Sequence, residues 1–500
     1  MSRLDKPVLL PFGVWAPDQP EWRNTGAIRA KGVIARKGFY VPLRQPAVFS
    51  SAVDSAVRGG VGAIRSLDSV VFNIVGTATK LYSMNSTLGW GDVTRLAGGD
   101  YALTERDRWE FIQFGETLIG VDGQSDAPQS ITLGAASFAD LAGSPPRARH
   151  IGVIGSFVML GNTLDTIDGA RAQRAWWSGF NDAAYWTPDL ARQCSFRDLV
   201  GEGGGIQRII GGDYGTILRE RSIARASYVG PPGVFQFDEI EASQGTDTPW
   251  SAVKVGRITY YHSADGFYAF DGSQSAPIGR DIVDQTFADD FQSAYPHNVI
   301  AGADRSRNIF WIYPGAGAVG GIPNKVLIYN PNIGQFTFDE FENEFLCPLY
   351  SSLPLTTDAV DSILTSTDVP GFVDDVANVG GNLLLAFFDT SHRVNFLTGA
   401  NRAAEIDTGE RRLNPMGRAF VEGLMPMIDT TSGVTVTALE RDLLSASVTI
   451  GESDTVNDLG EANPRSDARF HRFRIAVEAG TEWRKADGVA ITEMAAGGVA

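Results

Sequence analysis

Short runs of β-branched and aromatic residues alternate with polar positions along most of this chain, and tight Gly/Asp/Asn turns separate them. The clearest copy, Val253–Gly272 (VKVGRITYYHSADGFYAFDG), reads as strands joined by turns and closes on an aromatic–Asp–Gly label. Related units are Trp109–Gly123 (WEFIQFGETLIGVDG), Ile151–Gly161 (IGVIGSFVMLG), Ile206–Arg219 (IQRIIGGDYGTILR) and Asn308–Phe336, which holds NIFWIYPG and VLIYNPNIGQF. Alternation of period two, broken by turn residues, predicts half-buried strands joined in hairpins. Hairpin units that recur every roughly 40–50 residues predict a β-propeller.

The units begin near Ala63 and run over Val70–Thr94, Arg108–Leu141, Ala148 to Trp186, Ser195–Phe237, Trp250–Ile278 and Asn298–Phe336. A further blade is available from Asn382–Leu397 (NLLLAFFDTSHRVNFL) if the early strand Gly32–Leu43 (GVIARKGFYVPL) pairs with it across the ring. Pairing the two chain ends removes the exposed edges of an open ring. The sequence is therefore read as all-β, a propeller of six or seven blades over residues 33–400, with an acidic excursion at 356–380. Residues 1–32, punctuated by proline, read as an extended N-terminal arm. Residues 401–500 show plain alternation without the label-like turns and read as a small, sandwich-like antiparallel β domain.

Composition adds limits. The 500 residues exceed one ordinary core, and 56 Gly with 24 Pro suit a turn-rich all-β chain. A formal net charge of −17 argues against a sequence-reading nucleic-acid binder, which needs Lys and Arg on one face. It leaves open a conduit, because a wall that repels phosphate lets DNA slide. Two cysteines, Cys194 and Cys347, are too few for a disulfide framework and form no CxxC pair, so buried thiols are expected. The N-terminal stretch has no apolar core of signal-peptide length, and no segment reaches the ~20 apolar residues of a membrane span. Synthesis in the cytosol without a membrane span is expected.

Candidate chemistry is sparse. Carboxylates cluster at Asp238–Glu239–Glu241, Asp289–Asp290 and Asp339–Glu340–Glu342–Glu344, and a glycosidase needs two of them roughly 5–10 Å apart across a pocket. In so acidic a chain such runs read mostly as solvated loop faces. His150, His262, His297, His392 and His471 fall in no metal-ligand spacing, and GxSxG is absent. The Gly-rich stretches Gly201–Gln207 and Gly315–Pro323 lack the GK[ST] ending of a phosphate cradle and read as flexible loops. Trp176, Trp177 and Trp186 in RAWWSGFNDAAYWTP have two readings: blade core, or exposed indoles that contact a partner or stack on a glycan. No catalytic residue, cofactor or metal is expected, and no enzyme.

The phrase WWSGFNDAAYWTPD resembles a segment of structural proteins from tailed bacteriophages and related prophages. LPFGVWAPD, GTATKLY, DRWEFIQFG, ADLAGSPPRARHIGVI, FFDTSHRVNFLTGA and RFHRFRIAVEAG agree in order, so the resemblance covers most of the chain. It implies a β-propeller tail or head–tail joining component similar to the nozzle of short-tailed phages. By that resemblance the chain forms a homo-oligomeric, hexameric ring between an adaptor or portal-side ring and tail fibre or tail tip proteins. Double-stranded DNA would pass through during ejection without sequence recognition, and the protein would reside in the virion tail after synthesis in the host cytoplasm. Such nozzles are often longer and carry knob-like insertions, so the resemblance implies a reduced nozzle or a related ring of another tail type. The alternative is a receptor- or carbohydrate-binding, or glycan-cleaving, tail propeller, which requires an exposed Trp beside two close carboxylates in one pocket. A cytosolic scaffold without a virion role would instead be a monomer.

Overall fold

The computed structural model describes residues 3–351 and 381–498, and in it seven antiparallel four-stranded blades stand around one axis as a β-propeller, six as separate sheets and one as part of a larger sheet. The first strands of the blades are Gly59–Ile64, Glu110–Phe114, Arg147–Ile154, Ile206–Ile210, Val253–Val255, Ile300–Ala303 and Phe345–Tyr350. They form the inner wall, and most neighbours in the ring touch directly, the seventh closing on the first. Numbered in that order, the blades hold every repeated unit read from the sequence.

Blade 1 starts earlier than the alternation suggests. Its inner strand, GGVGAI, carries almost no bulk, because neighbouring blades approach closely near the axis. A Cβ added at Gly59 would lie 2.5 Å from Trp109, and one at Gly60 would lie 2.8 Å from the Cys347 sulfur. Small residues here mark tight packing and hide the strand from a hydrophobicity pattern.

The ring closes through the N-terminal region, but not through the segment expected. Ala47–Ala52 pairs antiparallel with Arg393–Phe396 as the outer strand of blade 7. Phe49 packs edge-on against Phe396 with centroids 4.8 Å apart, and the Ser50 hydroxyl accepts a hydrogen bond from Val394 N–H. Gly32–Leu43 instead folds as a hairpin of Val33–Arg36 and Phe39–Pro42, whose buried Val33, Ala35 and Tyr40 face a different core. The expected acidic excursion at 356–380 lies outside the described residues.

That different core belongs to a two-sheet β-sandwich built from both chain ends. One sheet joins the Val33–Pro42 hairpin, Ala486–Ala496, Ala419–Ile428 and Ser466–Ala468, with Arg3–Pro11 paired along Ala486–Ala496. The other runs Arg29–Lys31, Ala404–Asp407, Phe470–Val477, Val434–Arg441 and Thr449–Thr455. Of the expected N-terminal arm, residues 3–32 lie on the protein's own body. Leu10 and Phe12 bury in the sandwich, and the backbone hydrogen bonds of the first strand are taken by Ala486–Ala496. Neither residue 33 nor residue 401 marks a separation. Arg29–Lys31 lies between Ala404–Asp407 and the outer strand of blade 6, Gln335–Glu340, so one nine-stranded sheet spans blade and sandwich.

Burial and charge weld the same seam. Trp311 and Phe336 of blade 6 share one apolar cluster with Ile406, Phe473, Ile475 and Val489 of the sandwich. Glu340 accepts from Lys31 and, at 2.5 Å, from Lys325. Burial raises its pKa, but the two ammonium groups outweigh that and hold it at about 2. Among the described residues no helix is long and apolar enough to cross a membrane.

Candidate functional site

Inner strands in a propeller all start on one face, so the connections between blades converge there around the axis. In this chain those connections end on Arg106–Asp107–Arg108, Arg149–His150, Gln207, Trp250 and His297, which surround a cavity of about 500 Å³. Deeper along the axis lies a second space of about 610 Å³, walled by Ile112, Gln113, Val153, Ile210, Lys254 and Pro348.

A polar pair stands between them. Glu110 of blade 2 is buried and meets the Arg208 guanidinium of blade 4 at 3.4 Å. Its carboxylate also accepts the Ile151 N–H and contacts His150 Nδ1 at 3.2 Å. Arg208 lies over the Trp250 ring, 4.6 Å from its centroid. Four successive blades thus contribute one residue each to a plug: carboxylate, imidazole, guanidinium and indole. Burial keeps the His150 pKa below its ordinary value despite Glu110, so the imidazole is neutral near pH 7.

Above the plug, positive charge dominates. Asp107 pairs with Arg149 at 2.9 Å and accepts the Thr104 hydroxyl. Arg108 is buried and reaches only neutral acceptors: the carbonyls of Glu105 and Asp107 and the side-chain oxygen of Asn298. Arg58 likewise donates to the carbonyls of Leu103 and Thr104. His297 reports the resulting field: burial first, then the charges of Arg108, Arg106 and Arg58, push its pKa down to about 4.

This gives a measurable expectation. Followed by NMR of labelled imidazoles, His297 should titrate near 4, and Arg106→Gln should move it up towards the free value. An ordinary value of about 6.5 in the wild-type protein would contradict the cationic mouth. The sign for stability follows from the lowered folded value. The contribution is complete above about 6.5 and is lost as pH falls towards 4, at most about 3 kcal/mol.

None of the carboxylate runs singled out in the sequence lines this mouth; its charges come from the run Glu105–Arg106–Asp107–Arg108–Trp109–Glu110, joined by Arg149 and by Asp247, whose carboxyl is pushed up by burial. The run's dense alternation of sign at the start of a strand was the available signal. The other runs hold the fold. Glu239 pairs with Arg219, Glu241 accepts Ser275 N–H, Asp290 accepts the Tyr313 hydroxyl, Asp339 pairs with Arg402, and Glu344 contacts His392 at 2.7 Å. The Gly201–Gln207 loop is pinned by the buried Arg219, whose Nε and Nη2 donate to the Gly204 carbonyl. Among the described residues no group of three or more His, Cys, Asp or Glu is placed to hold a metal ion.

The tryptophans correct the exposed-indole expectation. Trp176, Trp177 and Trp186 are 4, 3 and 2% exposed. Each indole N–H is spent on a backbone carbonyl, of Trp186, Gln193 and Ala183 respectively. A sugar ring has no free face to stack on. The segment folds back on blade 3 because its apolar residues fill the gaps to blades 2 and 4, and Arg174 clasps its base through Asp165, Asp168 and Asp198.

A second surface stands out on the sandwich. Thr449–Thr455 is the last strand of the nine-stranded sheet, paired on one side only among the described residues. Ile450 within it and Leu443 and Leu444 before it are 70, 57 and 43% exposed.

Comparison with known proteins finds only distant likeness. No protein-family model matches the chain, and no curated protein matches it. Among solved structures it is similar to BBS1N in complex with ARL6DN, at 8% identity, covering 72% of this chain and 97% of that one, with a TM-score of 0.38. It is also similar to the dihydro-heme d1 dehydrogenase NirN, at 11% identity, 85% and 79% coverage and a TM-score of 0.33. A putative exported protein from Bacteroides fragilis gives 11% identity, 69% and 94% coverage and a TM-score of 0.29. Likeness this distant carries no argument about activity.

Proposed function

We propose that this protein is a structural component of a tailed-phage virion. In this reading, copies assemble into a nozzle-like ring at the head–tail junction or in the tail, where the ring guides DNA and receives neighbouring tail proteins. The observation that carries the assembly is the one-sided edge strand Thr449–Thr455 with its exposed apolar tip, set on a sandwich welded to the propeller. Unpaired edges and apolar patches of this kind are rarely left open in a monomer. The occupant we assign is a second copy of the chain.

The same reading fixes where DNA would run. The Glu110–Arg208 pair bridges blades 2 and 4 inside each propeller. A duplex whose major groove alone is about 12 Å wide cannot thread past it. The conduit is therefore enclosed between copies, along their acidic outer surfaces.

Mass photometry and negative-stain imaging of the purified protein test this. We expect a closed ring of about six copies with a central hole, and the same protein in the tails of purified particles. The double variant Ile450→Lys, Leu443→Lys should release monomers while the melting temperature stays close to wild type, since exposed sites cost within about 0.5 kcal/mol. A wild-type monomer absent from particles would sink the virion reading. A ring that survives the double variant would move the contact elsewhere.

A further inference from the structure

We propose that the axial mouth receives a carboxylate-bearing small molecule, held by Arg106, Arg108 and His297 beside Trp250; this goes beyond the assembly reading. The argument starts from charge balance. The chain has 59 acidic and 42 basic residues, so a cluster of cations around one cavity without carboxylate partners runs against the overall balance. At the mouth Arg149 is neutralised by Asp107 and Arg208 by Glu110. Among the described residues, Arg58, Arg106 and Arg108 have no such ion pair.

Arg108 is the telling member. It is 8% exposed, it spends both terminal nitrogens on neutral oxygens, and its Nε is buried without an acceptor. A buried charge normally finds a counter-charge, because removal from water is costly otherwise. Arg106 stands exposed on the rim of the same cavity. His150 and Trp250, which contact Glu110 and Arg208, line the same space, which is of ligand size at about 500 Å³.

The chemistry favours a singly charged oxyanion. Arg106, Arg108 and Arg149 line the mouth together with Asp107 and Asp247, a net of about one positive charge, which one carboxylate balances and a phosphate dianion exceeds. Gln207 offers an amide, and the volume leaves room for a polar body larger than acetate.

The test is a calorimetric and thermal-shift titration of the full protein with D-glucuronate and with lactate, against inorganic phosphate and chloride at matched ionic strength. We expect saturable binding of at least one carboxylate. Arg106→Gln should weaken it about tenfold or more, the loss expected for one charge-assisted hydrogen bond. Arg108→Gln should weaken it further; if its tie to Asn298 proves necessary for folding, Arg106→Gln decides alone. Three results would overturn the proposal: effects no larger than those of chloride, tighter saturation by phosphate than by either carboxylate, or unchanged affinity in Arg106→Gln. Ring formation is read separately by mass, so failure here leaves the assembly reading standing.

Discussion

Trp109→Ala should destabilise the protein by about 3–5 kcal/mol, the range for emptying a large aromatic site. Its indole stacks on Phe111 at 5.6 Å, meets Tyr101 edge-on at 4.8 Å, and donates to the Thr77 carbonyl at 2.9 Å. The ring lies against Gly76, and Gly59, its cross-strand partner in blade 1, lies against the Trp109 Cβ and backbone. A Cβ at Gly76 would lie 2.3 Å from the indole, so Gly76→Ala alone should cost at least about 1–3 kcal/mol through overpacking. The combination distinguishes a slot from two unrelated sites. In the Trp109→Ala background the added methyl enters vacated space, and Gly76→Ala should become nearly neutral. Urea denaturation of the four proteins closes the cycle. Additive costs would mean that indole and glycine do not share one space.

The second large effect concerns the chain ends. A protein beginning at residue 53 should fail to give a soluble, cooperatively unfolding species, and so should residues 401–500 expressed alone. Loss of the first 52 residues removes the outer strand of blade 7 and leaves Arg393–Phe396 as an open edge. It also removes Arg29–Lys31, which links blade 6 to Ala404–Asp407 within the sheet. The isolated tail would expose the faces that Leu10, Phe12, Val33 and Tyr40 cover. Size-exclusion chromatography with circular dichroism reads the result. A monomeric, cooperatively melting fragment from either piece would show that the sandwich and propeller fold independently.

Much of the architecture was legible because the second and third strands of the blades are short β-branched and aromatic runs bounded by turn residues. Phe267, Tyr268 and Phe270 in Gly266–Phe270 are an example, buried on both faces of the sheet. Inner strands were less legible: GGVGAI and IAGA trade bulk for close approach, and a pattern of large residues passes over them. The closing strand was missed because Gly32–Leu43 (GVIARKGFYVPL) alternates clearly whereas Ala47–Ala52 (AVFSSA) does not. What decides between them is where their buried faces go, which is a tertiary property. The mouth was hidden for a related reason. Its residues come from blades 2, 3, 4 and 5 and from the approach to blade 6, and only closure of the ring brings them together. The tryptophans were ambiguous in sequence because core and surface indoles share the same neighbours along the chain.

The weave of both ends into one sandwich has a consequence for how the protein is made. Ribosomes emit roughly 5–20 residues per second. The first strands therefore wait on the order of tens of seconds before Arg393–Phe396 and Ala486–Ala496 appear. Until then Leu10, Phe12, Val33 and Phe49 have no partner faces, while blades 1 to 6 can assemble locally behind them. The nascent chain is an open ring with a sticky leading end, and nearby chains on the same message carry the same end. Premature pairing between neighbours on a polysome is the hazard this topology carries, and chaperone capture of the leading segment is the point at which the cell would have to intervene.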